Sequence, residues 1–173
     1  VADVAVTADH DDAGGNSAIQ ATDTIIKDSI IPTVSSNAIT ASTYIIGDTV
    51  QVQVAFNEAV TVSGTPRIQL NFETEAASPV YANYTAGSGS SNLTFEYTVL
   101  AGDEDINGIA GAGSIDLNGG SIVDNLSNET DYNLVSTSYA SAFVDGIAPQ
   151  VTAVAITANT YYATETLTVS VTF

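Results

Sequence analysis

The chain has 173 residues, 20 of them acidic and only two basic, and its formal net charge at neutral pH is −18. Clustered Lys and Arg side chains bind phosphate groups, so this charge argues against a nucleic-acid partner and against an anionic membrane surface. Cys is absent, which excludes a disulfide framework and a thiol nucleophile. No apolar run approaches the ~18 residues that predict a membrane-spanning helix.

Residues 1–30 have the pattern of two closing strands. Their turn at residues 12–16 has a counterpart at residues 124–128, further along the chain. Two strands cannot bury a hydrophobic core alone. We therefore predict that 1–30 are the C-terminal strands of a preceding unit, in which Asp11 and Asp12 form a solvated turn.

Residues 31–147 alternate apolar and polar side chains with a period of two, which indicates half-buried strands. The apolar positions are Val50, Val52, Val54, Phe56, Ile68, Leu70, Phe72, Val80, Ala82, Tyr84, Leu93, Phe95, Tyr97 and Val99. Turn residues separate these runs at 46–48, 63–66, 87–90 and 119–120. We expect an all-β chain in which 31–147 form one complete two-sheet β-sandwich without a helix longer than about two turns.

Residues 148–173 repeat the beginning of that unit. The three matching pairs of segments are 28–34 with 145–151, 38–44 with 155–161, and 50–56 with 167–173, all at an offset of 117 residues. Self-similarity at a fixed offset is the signature of a repeat protein. We therefore predict that 148–173 are the N-terminal strands of a following repeat.

The order of the strands predicts where the acidic residues meet. A first strand over 37–44 leaves the linker at 28–32, and a second strand over 49–56 returns to a turn at 57–59. If each later strand also reverses direction, the acidic residues fall into two groups, one at each end of the sandwich. Asp28, Glu58 and Asp124 are expected at the entry end, and Asp103, Asp105, Asn107 and Asp145 at the exit end.

Both acidic groups are candidate calcium sites, because Ca²⁺ takes six to eight oxygen ligands from carboxylates and carbonyls. Residues 103–108 also match the start of the calcium-loop pattern D-x-[DN]-x-[DN]-G. The match is only partial, since the twelfth position is Ser114 and not Glu. A solvated acidic turn is the alternative interpretation of the exit group.

Neither the histidine nor the paired carboxylates predict an enzyme. His10 is the only histidine, and the chain contains no nucleophile elbow. The pairs Asp103 with Asp105 and Glu73 with Glu75 each lie close together in sequence, so they do not flank a substrate as the two acids of a glycosidase do. Four tyrosines are candidates for a platform that stacks on a sugar ring, although core packing is the simpler interpretation: Tyr44, Tyr81, Tyr84 and Tyr97.

Several motifs together resemble the bacterial immunoglobulin-like repeats of giant surface proteins. They are the Tyr44-x-x-Gly-Asp48 turn, the Phe56-Asn-Glu-Ala-Val60 segment, Gly64-Thr-Pro66, the Leu93–Val99 strand, the 102–109 loop and Asn118-Gly-Gly-x-Ile122. The most similar subtype occurs in very large marine bacterial surface proteins, while 1–30 are more similar to repeats of biofilm-associated, type I-secreted adhesins.

This resemblance implies an immunoglobulin-like fold and a structural role outside the cell. Such repeats act as spacers in long adhesins or surface filaments, and calcium commonly stiffens their linkers. The implied partners are neighbouring repeats of the same protein, and a second partner prediction is other copies that add strands to form a filament. A carbohydrate- or surface-binding module is the alternative function.

Overall fold

A computed structural model describes residues 2–8, 13–15 and 21–173, and in these residues the regular structure is entirely β-strand. The strands are β1 Ala2–Ala8, β2 Ala21–Lys27, β3 Val34–Ile39, β4 Ser42–Ile45, β5 Thr49–Ser63, β6 Arg67–Asn71, β7 Val80–Ala86, β8 Ser90–Thr98, β9 Glu104–Asp105, β10 Ile109–Gly111, β11 Ser121–Val123, β12 Ser138–Tyr139, β13 Ala142–Asp145, β14 Ala153–Ile156 and β15 Val169–Thr172. The prediction of an all-β fold is confirmed. None of the described segments is a helix that could cross a membrane.

Residues 31–147 form a sandwich-like arrangement of a large, curled sheet and a small one. The large sheet has the order β11-β5-β8-β7-β6-β10-β12, with β3 also paired to β5. The small sheet has the order β4-β13-β9, in which β4 and β13 are parallel and β13 and β9 are antiparallel. The second strand of the unit, β4, is therefore hydrogen-bonded to its last strand, β13, so the beginning and the end of the unit are joined.

The core is built from the predicted apolar faces. In β5, Val50, Val52, Val54 and Phe56 are all buried, and the intervening Gln51 and Gln53 are exposed. The other strands contribute buried side chains in the same alternating way: Ile68, Leu70, Val80, Ala82, Leu93, Phe95 and Ile109. Fully burying one such side chain stabilises the fold by roughly 1.5–3 kcal/mol, so the period-two pattern identifies the main source of stability.

The prediction of one strand over 37–44 was wrong. The chain forms β3 and β4 here, with a break at Thr40 and Ala41. β3 pairs antiparallel with β5 of the large sheet, whereas β4 pairs parallel with β13 of the small one. The chain crosses from one sheet to the other at the break, which a hydrophobic pattern alone does not reveal.

The predicted turn at 57–59 was also wrong, because β5 continues through it to Ser63. The pairing of β5 with β8 shifts register between Ala55, opposite Asn92, and Val60, opposite Ser90. The extra residues on β5 form an irregular segment that bends the strand. Beyond this segment β5 pairs with β11. Glu58 therefore projects from a strand irregularity and not from a loop.

Asn37 joins the first strand of the large sheet to the segment before β12. Its side-chain oxygen accepts hydrogen bonds from the backbone N–H groups of Val135 and Ser136, both at 2.9 Å. Its side-chain nitrogen donates to Ser136 O at 2.6 Å and to the Tyr139 hydroxyl at 2.5 Å. β3 and β12 do not pair as strands. The buried Asn37 side chain supplies the hydrogen bonds between β3 and the β12 region instead.

The two flanking segments each contain one pair of antiparallel strands, β1 with β2 and β14 with β15. The pairing of β14 with β15 reproduces that of β3 with β5. Ala153 is opposite Thr172 and Ile156 is opposite Val169, and subtracting 117 from each number gives the observed pairs Ser36–Ala55 and Ile39–Val52. The offset in the sequence is therefore also an offset in strand register.

Candidate functional site

Three acidic side chains converge at the entry end of the sandwich. Asp28, Glu58 and Asp124 each place one carboxylate oxygen within 4.8 Å of the other two. Asp28 follows β2, Glu58 lies in the irregular part of β5, and Asp124 follows β11. The structure brings together the three residues that the strand order assigns to this end.

The linker that carries Asp28 is fastened to the sandwich beside Glu58. Thr33 N donates to the Asn57 side-chain oxygen at 2.7 Å, and Asn57 N donates back to Thr33 O at 3.0 Å. Asp131 N donates to Pro32 O at 2.8 Å. The sequence argument did not single out Asn57, although its place directly before Glu58 is the signal that could have identified it.

Asp124 is held by the tight turn that it begins. One carboxylate oxygen accepts the backbone N–H groups of Leu126 and Asn128, both at 2.8 Å, and the other accepts the Asn128 side-chain nitrogen at 2.7 Å. Burial favours a higher pKa for Asp124, which is 3% exposed, but these hydrogen bonds outweigh it and lower the pKa below its ordinary value. Asp124 is therefore a fixed, ionised carboxylate.

Glu58 is the member of the group whose charge is least compensated. Its Oε1 atom is buried and has no hydrogen-bond partner within the described structure. Burial, and then the negative charges of Asp28 and Asp124, raise the pKa of Glu58 above its ordinary value. A buried acceptor without a donor is costly, and here it faces two further carboxylates.

The chemistry of this site is that of a hard cation. Three carboxylates supply oxygen ligands and no nitrogen or sulfur ligand, which favours Ca²⁺ or Mg²⁺ over zinc. A divalent ion would provide the positive charge that Glu58 Oε1 lacks, and it would join the linker to the sandwich. Asp28, Glu58 and Asp124 are the residues that would hold it.

The acidic residues at the exit end are arranged differently. Asp103 is 0% exposed, and its carboxylate accepts hydrogen bonds from Ala76 N at 2.8 Å, Leu100 N at 2.8 Å and the Tyr97 hydroxyl at 2.6 Å. Burial, followed by the hydrogen bond to Asp103, raises the pKa of the Tyr97 hydroxyl. The Asp103 carboxylate therefore joins its own loop to β8 and to the segment between β6 and β7.

Asp105 and Asn107 also hold the local loop together. Asp105 is buried and accepts the Gly108 N–H at 2.8 Å, while the Asn107 side-chain nitrogen donates to Glu73 Oε1 at 2.7 Å. Burial is the main reason that the pKa of Asp105 is raised. Glu73 also accepts the Ile106 N–H at 3.0 Å. Glu73 was considered only as a catalytic candidate, so its contacts with this loop were not predicted.

Asp145 does not share a site with these residues. It lies opposite Glu104 on β9, whereas Asp105 lies opposite the buried Val144, so the alternation of the strands places Asp105 and Asp145 on opposite faces. Within the described residues, the only group of three or more carboxylates close enough to share an ion is the one at the entry end. The strand order thus places the four exit residues near one end, but their side chains do not converge.

Asp145 instead repeats the local geometry of Asp28, which lies 117 positions earlier. Asp28 Oδ1 accepts the Ile30 N–H at 3.0 Å, and Asp145 Oδ1 accepts the Ile147 N–H at 3.2 Å. Both residues begin a linker that contains a proline four positions later. Asp145 is therefore the structural counterpart of an entry-end residue.

The four tyrosines considered for sugar stacking do not form a shared platform. Tyr44 donates to Thr40 O, and Tyr97 donates to Asp103. Tyr84 makes an edge contact with Phe95. Tyr81 is covered by the Arg67 guanidinium, 3.8 Å from the ring centre, and Arg67 also pairs with Asp116 at 2.8 Å. The hydrogen bond from Arg67 is the main reason that the pKa of Asp116 is lowered.

Three further candidates from the sequence, His10, Asp11 and Asp12, lie outside the described residues.

Comparison with protein-family models, with curated proteins and with solved structures gives no match. The resemblance to bacterial immunoglobulin-like repeats therefore stays a prediction from the motifs.

Proposed function

We propose that the chain is part of a structural spacer in a long extracellular adhesin or surface filament. In this proposal it is not an enzyme, residues 31–147 are one immunoglobulin-like unit, and the flanking segments belong to neighbouring units. The partners are then the adjacent repeats, which hold a distal part of the protein away from the cell surface.

The observation that carries the proposal is the structural recurrence at 117 residues. The register of β14 with β15 equals that of β3 with β5. Side-chain contacts recur as well: the Tyr44 hydroxyl donates to Thr40 O and the Tyr161 hydroxyl to Thr157 O, both at 2.8 Å. Successive units with the same opening strands are what a repetitive spacer requires.

A recurring turn strengthens this argument. Ile45 N donates to the Asp48 carboxylate at 3.0 Å, and Asp48 N donates to Ile45 O at 2.9 Å. The counterparts Tyr162 and Glu165 make the same two hydrogen bonds at 2.8 and 2.9 Å. The turn keeps its geometry although both side chains have changed, so the recurrence goes beyond sequence identity.

We further propose that Ca²⁺ binds Asp28, Glu58 and Asp124 and stiffens the linker between units. The support is the unpartnered Oε1 of Glu58 between two other carboxylates, at the point where the linker meets the sandwich. A weak site is sufficient outside the cell, where calcium is abundant, with a Kd on the order of 0.1–1 mM. The charge of −18 fits such a cation-rich setting.

No specific observation favours the alternative of a carbohydrate-binding module, since each of the four candidate tyrosines has other contacts. Two measurements on the full chain separate the functions. We expect no glycan on an array to bind above background, and we expect small-angle scattering to give a longer maximum dimension in calcium than in chelator. Strong glycan binding, or identical dimensions in both conditions, would contradict the spacer proposal.

A further inference from the structure

The chain contains two Asn-Gly pairs, Asn107–Gly108 and Asn118–Gly119. Such a pair is reactive, because the glycine nitrogen can attack the side-chain carbonyl carbon of the asparagine without hindrance from a side chain of its own. The attack needs a backbone N–H that can lose its proton and an asparagine side chain that can swing toward it. The structure gives the two pairs opposite surroundings.

The Asn107–Gly108 pair is held from both sides. Gly108 is buried, and its N–H donates to Asp105 Oδ1 at 2.8 Å. The Asn107 side-chain nitrogen donates to Glu73 Oε1 at 2.7 Å. Both bonds have a carboxylate as acceptor, and hydrogen bonds to charged groups are the stronger ones. Attack by the Gly108 nitrogen would require both of these bonds to break.

The Asn118–Gly119 pair lies at the tip of an exposed turn, which Gly120 N closes by donating to Leu117 O at 2.8 Å. The two residues of the pair have positive φ, 49° and 78°, as the central residues of a type I′ turn do. Among the hydrogen bonds of the described residues, none involves the Gly119 N–H. The Asn118 side-chain nitrogen donates to Thr65 O and Thr65 Oγ1 at 3.2 Å, the long end of the usual range. This pair is therefore open to water and weakly held.

We propose that Asn118 is a site of spontaneous deamidation and that Asn107 is protected from this reaction. Gly119 N forms a bond to Asn118 Cγ, and the side-chain nitrogen leaves as ammonia, which gives a cyclic succinimide. Water then opens the ring at one of its two carbonyl carbons. One product is aspartate, and the other is isoaspartate, in which the main chain runs through the former side chain. Water is the only co-reactant, and no atom is oxidised or reduced.

The modification would weaken the contact between the turns at 63–66 and 117–120. The Asn118 amide donates to Thr65, whereas a carboxylate has no hydrogen to donate. The new charge would also lie beside Asp116, whose Oδ1 accepts the Asn118 N–H at 2.9 Å. This inference does not depend on the spacer proposal or on calcium, since no acidic member of the entry-end site takes part.

Peptide mapping by mass spectrometry follows the reaction in the full chain during incubation in mildly alkaline buffer. In the folded chain, the Asn118 peptide should gain the mass of one deamidation and yield isoaspartate. Asn107 should react at least about tenfold more slowly, because its attacking nitrogen must first give up a hydrogen bond to a carboxylate. In guanidinium, which removes the structure, the two pairs should react at similar rates. An Asn118 that reacts in guanidinium but stays intact in the folded chain would overturn the proposal, and so would equal rates at the two pairs in the folded chain.

A matched pair of substitutions assigns the change in charge to its residue. Asn118→Gly removes the reactive amide and suits the positive φ of this position, and Asn107→Gly makes the same change at the protected pair. Isoelectric focusing of the wild type should show a more acidic species that grows with time. Asn118→Gly should remove most of this species, and Asn107→Gly should leave its rate of formation unchanged. An acidic species that forms as fast in Asn118→Gly as in the wild type would show that another residue reacts, which contradicts the proposal.

Discussion

The two ends of the sandwich both contain clustered acidic residues, but they use them in different ways. At the exit end, Asp103 is buried and accepts three hydrogen bonds, from Leu100 in its own loop, from Ala76 in the segment between β6 and β7, and from Tyr97. At the entry end, Glu58 has an unpartnered, buried oxygen next to Asp28 and Asp124. Proximity of carboxylates therefore does not identify an ion site. The donors around each oxygen differ: those of Asp103 are supplied by the protein, whereas in our proposal a cation would supply the missing partner of Glu58.

The largest loss of stability should come from removing the Asp103 carboxylate at the exit end. Asp103→Ala removes the acceptor for two backbone N–H groups and for the half-buried Tyr97 hydroxyl, and each donor left unsatisfied away from water costs about 1–3 kcal/mol. We expect a loss of about 3 kcal/mol or more in the free energy of unfolding, measured by urea denaturation. The loss should be equal in calcium and in chelator. A loss that calcium reverses would mean that Asp103 binds an ion.

Tyr97→Phe should also lower the free energy of unfolding, but by less than Asp103→Ala. It removes one hydrogen bond, at 2.6 Å, to the Asp103 carboxylate and keeps the ring that packs edge-on against Phe72. We expect a loss of about 1–2 kcal/mol, again independent of calcium. Tyr84→Phe is the matched control, since the Tyr84 hydroxyl only accepts the Ser88 N–H in an exposed turn. Equal losses of stability in Tyr97→Phe and Tyr84→Phe would contradict the claim that the hydrogen bond to Asp103 stabilises the exit end.

The stability of the fold should depend on pH through the ionisation of Glu58 at the entry end. Its pKa is raised in the folded chain, so the ionised form destabilises the fold relative to the protonated form, and this penalty disappears as the pH falls below the ordinary value of 4.5. In chelator, Glu58→Gln should therefore be more stable than the wild type at neutral pH, and the two should converge near pH 4. Thermal unfolding over a pH series measures this. A difference that is constant with pH would exclude a charge effect.

The sequence predicted the strand faces and the entry-end group for physical reasons that can be stated. Period-two alternation identifies the inner face of β5 because its buried valines follow one another at every second position. The direction of successive strands is enough to bring Asp28, Glu58 and Asp124 to one end, and an error about the turn at 57–59 does not change this, because β5 bends there.

The exit end was less predictable because alternation says nothing about which loop side chains turn inward. Residues 103–107 look like a solvated acidic loop, yet Asp103 and Asp105 are buried by contacts with distant segments, such as that of Ala76 with Asp103. The position of Asp145 was available from the sequence. Its offset of 117 from Asp28 already pairs it with an entry-end residue, and strand order alone grouped it with the wrong neighbours.

The most direct test of the difference between the two ends is thermal unfolding of the full chain with calcium or with chelator. For a site with a Kd of about 0.1 mM, ~10 mM calcium should stabilise the fold by about 2.7 kcal/mol, which corresponds to a rise of about 5–10 °C in the midpoint. Glu58→Gln should lose most of this rise, and Asp145→Ala, a change of an exposed side chain at the exit end, should keep it. Equal midpoints of the wild type in both conditions, or a response abolished by Asp145→Ala and not by Glu58→Gln, would contradict the account.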